Sequence, residues 1–326
     1  MTGPEFVTAG GMIIDWVITA NGDVNKRGCG GNSLYSAAAA RLWSDKVAPV
    51  GCCGIDWPRE FTQAFLDAGM NMSAIHQFDE PHAMIAGFVY DQEGNRTTFR
   101  SQEILSRWGE KDAPAMRQLQ KSWPQVRPDE LSLKYGPKPD QMPASFWEAK
   151  GFHLAPWMHQ IQGPFVEELH RRSIPFTVDP GKDWSREVMG SMLQKIPVFL
   201  PSEEDVTFLL GEVEPEQAAK KFADLGAQVV AIKLGQRGSL VFDARQGKFY
   251  HVPVYPAKTK DPTGCGDSYC GGFLTGWVET GNALEAALRG TVSASFVVQD
   301  FDARYALRFS RADAEARLSE LRKLLS

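Results

Sequence analysis

The chain has 326 residues, of which 43% are hydrophobic, with a formal net charge of −5 and a pI of about 5.8. That composition supports a large core and excludes global disorder. The mild acidity excludes a general nucleic-acid-binding surface but leaves room for a local basic pocket.

In chain order, FVTAGGMIIDWVI reads as one strand, and GGNSLYSAAAARLW as a glycine turn opening an alanine-rich helix. VAPVGCCGID is a strand and turn, PREFTQAFLDAG a helix, and MIAGFVYDQEGNRTTFR a hairpin turning near Asp91 to Asn95. Residues 101–148 are rich in charge, Pro and Trp, with too little periodicity to assign elements. Alternation returns with strand GFHLAP, helix GPFVEELHRRS and strands PFTVDPG and PVFLPS. There follow helix EEDVTFLLG, a helix near 215–226, strands QVVAIKLG and GSLVFD, and helices from 266 onward. Strands alternating with helices predict an α/β fold with a mostly parallel sheet covered on both faces. Ligands of such sheets bind beyond the carboxyl ends of the strands.

No run approaches the ~18 apolar residues of a membrane span. The first residues carry no basic leader, so a cytoplasmic chain without membrane partners is expected. Cys29, Cys52, Cys53, Cys265 and Cys270 are odd in number and contain no Cys-x-x-Cys pair, and the six histidines show no zinc spacing. Reduced, mostly buried thiols are the expectation. No internal repeat and no Walker-type G-x-x-x-x-G-K-[ST] occurs.

The stretch DPTGCGDSYCGGF, residues 261–273, carries the most chemistry. Asp261 precedes a proline and is therefore extended. Tyr269, Phe273 and Trp277 then share one helical face, so Gly264 to Asp267 lies at a helix N-terminus. Free backbone N–H groups and the helix dipole make that end a site for an anion such as phosphate. Asp267 has two readings: an acid that offsets the dipole, or one that accepts a hydroxyl proton late in phosphoryl transfer. A helix N-terminus is expected to lower its pKa and weaken it as a base.

DPTGCGDSY resembles the C-terminal signature D-T-x-G-x-G-D of the PfkB/ribokinase family of sugar and nucleoside kinases. GCGGNSLYSAAAARL is similar to that family's first signature, GGMIIDWVI to its first strand, and IKLGQRGSLVF to its nucleotide-side strand–turn–strand. The matches run in the family's order over roughly residues 7 to 300. The resemblance implies a ribokinase-like unit over 1–326, with a small β lid formed by segments near 14–30 and 84–100. It implies transfer of the γ-phosphoryl group of ATP, with Mg2+ and K+ as ions, to a hydroxyl of a small sugar. The alternatives are a nucleoside kinase of the same fold and a catalytically weak sugar sensor.

By the same resemblance, Asp267 is the base and Gly264, Cys265 and Gly266 form the anion hole. Asp15, Gly31 and Asn32 touch the sugar, and Lys233, Gly235 and Gly238 lie along the nucleotide. Asp261 and Thr263 stand at a monovalent-cation site, and Ser202 and Asp205 where other members organise water around Mg2+. Ser202 and Asp205 also read as a plain helix capping box. Tyr35 and Ala155 depart from the ribose-binding pattern, which argues against ribose. Arg100 is a candidate for an acidic or phosphorylated sugar, or a solvated strand-end arginine. Asp179 reads equally as a cleft residue and a turn former. Trp16, Trp157 and Trp184 are candidates for stacking, although core packing is the more common role of tryptophan. A homodimer through the lid is also implied.

Overall fold

The structure is a computed structural model that describes residues 3–98 and 128–325. Arg100 and most of the segment 101–148 lie outside the described residues. Among the described residues there is a nine-stranded sheet and a separate four-stranded one.

The large sheet runs β13-β12-β11-β10-β9-β8-β1-β4-β5. Its strands are β1 (Phe6–Ala9), β4 (Val47–Cys53), β5 (Ile75–Gln77), β8 (Gly151–Leu154), β9 (Phe176–Val178), β10 (Val198–Phe199), β11 (Val229–Lys233), β12 (Ser239–Asp243) and β13 (Lys248–Val252). Pairing is parallel except for the antiparallel β11–β12–β13 edge. β11 shows how the layers form. Val230 and Ile232 enter one core with Phe165, Phe199 and Phe222. Val229 and Ala231 enter the other, with Phe273 and Val292. A strand buried on both faces reads as a continuous apolar run, as VVAI does.

One face is covered by α4 (His159–Arg172), α5 (Arg186–Leu193), α6 (Glu203–Leu210) and α7 (Pro215–Asp224). The other carries α8 (Cys265–Thr280), α9 (Ala283–Val297) and α10 (Arg311–Lys323). α1 (Asn32–Arg41) and α2 (Arg59–Asp67) complete that side with a third cluster around Leu34, Tyr35 and Phe65. α3 (Pro128–Tyr135) receives the indole N–H of Trp157 on the Ser132 carbonyl at 2.8 Å.

The second sheet runs β3-β2-β6-β7, from β2 (Ile13–Ile18), β3 (Val24–Gly30), β6 (Ile85–Tyr90) and β7 (Arg96–Thr98). β2 and β6 pair in parallel and the outer strands antiparallel. The first apolar run is therefore two strands and not one. It breaks at Gly10–Met12, where Asn32 Oδ1 accepts the Gly11 N–H at 2.6 Å, and β2 leaves for the second sheet. The hairpin turn falls at Asp91–Gly94, as the sequence suggests.

The expected stripe of α8 is buried: Tyr269, Phe273 and Trp277 face the core. Its opposite side approaches α1 so closely that a Cβ on Gly271 would lie 2.1 Å from the Ser36 carbonyl oxygen. Backbone cannot yield as a side-chain tip can. Gly271→Ala is therefore expected to destabilise the fold by ~1–3 kcal/mol or more through overpacking, measured as a lower denaturant midpoint. An unchanged midpoint would contradict the close approach. No helix among the described residues is long and apolar enough to cross a membrane.

Candidate active site

The approach to α8 is tied down before the helix begins. The Lys260 and Asp261 N–H groups both donate to the Val298 carbonyl, at 2.7 and 3.2 Å. Asp261 Oδ1 accepts the Thr263 N–H at 2.9 Å, and its buried Oδ2 has no partner. Gly264 caps the helix at φ 76, and a Cβ there would enter the Tyr35 ring at 2.3 Å. Only glycine meets both demands. Cys265, Gly266 and Asp267 form the first turn, whose N–H groups lack helical acceptors. The Cys265 N–H donates to Pro262 O at 3.2 Å, leaving the Gly266 and Asp267 amides at the helix end.

Asp267 is half-buried at this end. Burial lifts its pKa to about 6, against the pull of Lys233 and Arg96. The direction is opposite to the one expected from the helix dipole, and desolvation of the carboxylate is its largest cause. The Asp267 carbonyl also accepts the Ser36 hydroxyl at 2.9 Å, which locks the turn to α1.

Asp15 lies on β2, next to a bulge between Asp15 and Val17. Its carboxylate packs on the bare Gly30 backbone, where a Cβ would come within 1.8 Å of Oδ2. Tyr35 donates its hydroxyl to Oδ2 at 3.4 Å. Burial pushes the Asp15 pKa well up, and the nearby Asp261, Asp267 and Asp302 raise it further. Gly31 turns the chain at φ 102. Asn32, expected to touch a sugar, spends its amide on the backbone: Oδ1 on Gly11 N–H, and Nδ2 on Pro156 O at 2.7 Å.

On the other side, Gly235 and Gly238 shape the β11–β12 turn with φ of 59 and 84. Lys233 departs from expectation. Its ammonium turns inward onto Asp179 and touches Cys270 Sγ at 3.6 Å. Burial lifts Asp179 to about 7 despite that cation. Ser202 and Asp205 form the capping box of α6. The Ser202 N–H and hydroxyl both donate to Asp205 Oδ2, at 2.7 and 2.5 Å. Ser202 also bridges Lys233 along the sheet. No group of three or more His, Cys, Asp or Glu fit to hold a metal occurs among the described residues.

The second sheet spans both sides. Tyr90 OH shares a hydrogen bond with Thr263 Oγ1 at 3.0 Å. At the hairpin tip, Gln236 donates to Glu93 O at 3.1 Å. Arg96 pairs across the strands with Tyr90 and lies over the Phe88 ring at 4.9 Å. Its charge lowers the pKa of both Asp267 and Glu204. Sequence reading passed over Arg96 in NRTTFR and chose Arg100, which lies outside the described residues. Of the candidate tryptophans, Trp184 stacks on Phe199 inside the core, and Trp157 is buried.

The family model described as "pfkB family carbohydrate kinase" matches residues 7–308. The chain belongs to the pfkB family of carbohydrate kinases, which are phosphotransferases. The cytidine kinase of Thermococcus kodakarensis is 26% identical over 264 residues, covering 80% of this chain and 84% of that protein. Among solved structures, the nucleoside kinase of Burkholderia thailandensis in complex with inosine superposes with a TM-score of 0.71 at 17% identity. That match covers 97% of this chain and 98% of the other. The ribokinase of Arabidopsis thaliana complexed with ribose and ATP gives 0.70 at 20% identity, covering 97% and 99%. The fold is ribokinase-like, and the chain is an ATP-dependent sugar or nucleoside kinase of that family.

The Asp15 environment has a stability consequence. A carboxyl whose folded pKa lies above its unfolded value favours folding when protonated, and costs stability as pH rises from the unfolded value through the folded one. Asp15→Asn should therefore raise the melting temperature of the ligand-free protein at pH 8, with the gain vanishing toward pH 4. A lower melting temperature at pH 8 would contradict this.

Proposed function

We propose that this protein moves the γ-phosphoryl group of ATP to a hydroxyl of a small neutral sugar or sugar derivative held between Asp15 and Asp267. The observation that carries it is the half-buried Asp267 in the first turn of α8, beside the backbone amides of the helix end; burial also raises its pKa to about 6. Above pH ~6 Asp267 is ionised and can take the acceptor proton as the bond to phosphorus forms. The Gly264–Gly266 turn and the Asp267 amide then face the charge on the transferred group. Asp15 receives hydroxyls of the acceptor. The carboxylates that raise its pKa would repel an anionic acceptor, which favours a neutral one.

Asp261 Oδ2, buried and without a partner, fits an adjacent monovalent cation such as K+. Asp205 keeps one oxygen outside the capping bonds, and magnesium bound largely through phosphates and waters needs few carboxylates. Mg2+ bound there would neutralise phosphate charge. The second sheet acts as the lid. Its bonds to Thr263 and to Gln236 close it over both sides of the cleft, which excludes water as a competing acceptor. On the face away from Asp15, Ile18 and Val89 are only half-buried, while Trp16 and Ile85 pack against the third core cluster; Ile18 and Val89 support a homodimer through the lid. Val89→Glu should then sediment as a monomer where wild type sediments as a dimer; identical sedimentation would remove the dimer reading.

A nucleoside acceptor is the second reading, favoured by the relative from Thermococcus kodakarensis, which covers 80% of the chain. A panel of neutral sugars, sugar acids and nucleosides, read by ADP release, separates the two. With the best acceptor, kcat/KM should fall as pH drops through about 6. Asp267→Asn should lose ~10²–10⁴-fold in kcat. Equally slow ADP release by wild type and Asp267→Asn with every acceptor would overturn the kinase mechanism.

A further inference from the structure

Lys233 and Asp179 reach the same place from different strands. The alternation that sends Val229 and Ala231 toward α8 sends Lys233 there too. Phe176 and Val178 face the opposite core, so Asp179, which follows β9, also points toward α8. The two side chains form an ion pair with only 13% and 3% of their surfaces exposed. Cys270, one turn into α8, closes a triangle. Its sulfur is 3.6 Å from the Lys233 ammonium and 3.6 Å from Asp179 Oδ2. The lysine also runs beside the second residue of α8: a Cβ on Gly266 would be 3.8 Å from its Cδ and 4.0 Å from its Nζ.

A buried ion pair adds little net stability, because desolvation cancels most of the attraction. What this pair supplies is a location. A free lysine has four rotatable bonds and a strongly hydrated head. Here the head is dry and its direction is fixed by a carboxylate. The second oxygen of that carboxylate, Oδ1, is buried and has no partner. Among the charged groups, Asp205 and Asp267 face the pair as acids, and Lys233 is the cation. The ammonium therefore lies beside the first turn of α8, where phosphoryl charge would gather.

We propose that Asp179 is a positioning residue for phosphoryl transfer: it holds the Lys233 ammonium against the first turn of α8, where the charge of the transferred group develops. This rests on the reading of α8 as the phosphoryl site. The resemblance in sequence supplies a nucleotide-side role for Lys233 but no role for Asp179.

The test compares wild type, Lys233→Met, Asp179→Asn and the double variant, with ATP and the best acceptor from the panel. Active fraction and melting temperature are measured alongside. Lys233→Met should lower kcat by ~100-fold, as removal of a transition-state contact does. Asp179→Asn should lower kcat by ~10-fold or more, with both KM values within ~3-fold of wild type, and should cost less than ~2-fold in the Lys233→Met background. Asp179→Glu keeps the charge but displaces the ammonium, so it serves where Asp179→Asn does not fold, with the same expected loss in kcat. If Lys233→Met keeps full kcat, the phosphate reading of Lys233 fails, and Asp179 has nothing to position. If Lys233→Met is impaired while Asp179→Asn and Asp179→Glu keep kcat, or if the losses in the double variant multiply, the positioning role alone is overturned.

Discussion

The structure depends on the backbone-to-backbone contact between α1 and α8. Gly271 brings α8 onto the Ser36 carbonyl, and Ser36 in turn donates to the Asp267 carbonyl. Gly264 lets the start of α8 lie on the Tyr35 ring, and the Tyr35 hydroxyl reaches Asp15. One packing seam thus places the helix end, its acid and the acid of the second sheet on a common wall. Any side chain larger than hydrogen at those glycines would push the two acids apart.

Electrostatics at the cleft follow from what that packing excludes. A helix N-terminus should keep an acid ionised at low pH, yet Asp267 is raised to about 6. Burial of the first turn is the largest cause of that shift. The same logic lifts Asp179 to about 7 even with a cation against it, and pushes Asp15 well up, with three acids nearby. The site therefore concentrates carboxylates with few compensating cations. The positive charge facing these carboxylates comes from Lys233 and Arg96.

Much of this was legible in the sequence. The apolar runs gave the parallel sheet, and the Tyr269, Phe273 and Trp277 spacing gave the buried face of α8. Several elements were not legible. β5 has only three residues and no apolar alternation, and in edge strand β13 exposed Lys248 and His251 break the apolar run. The switch of sheet at Gly10–Met12 depends on Asn32, twenty-one residues from Gly11, and no local pattern reveals it. At the site, family resemblance named Asp267 and Lys233. The inward turn of Lys233 depends on Asp179, which is 54 residues away in the chain. Arg96 is placed by its pairing with Tyr90 across the hairpin, which the local sequence does not reveal.

Burial and the helix dipole pull the charge state of Asp267 in opposite directions. The most direct measurement needs no substrate: titration of the side-chain carboxyl carbons by NMR, with Asp267→Asn identifying the signal. The account predicts that the Asp267 signal titrates near pH 6. A midpoint at or below the ordinary aspartate value of ~4 would contradict it, because the helix end would then dominate and Asp267 would be too weak a base for the role given to it.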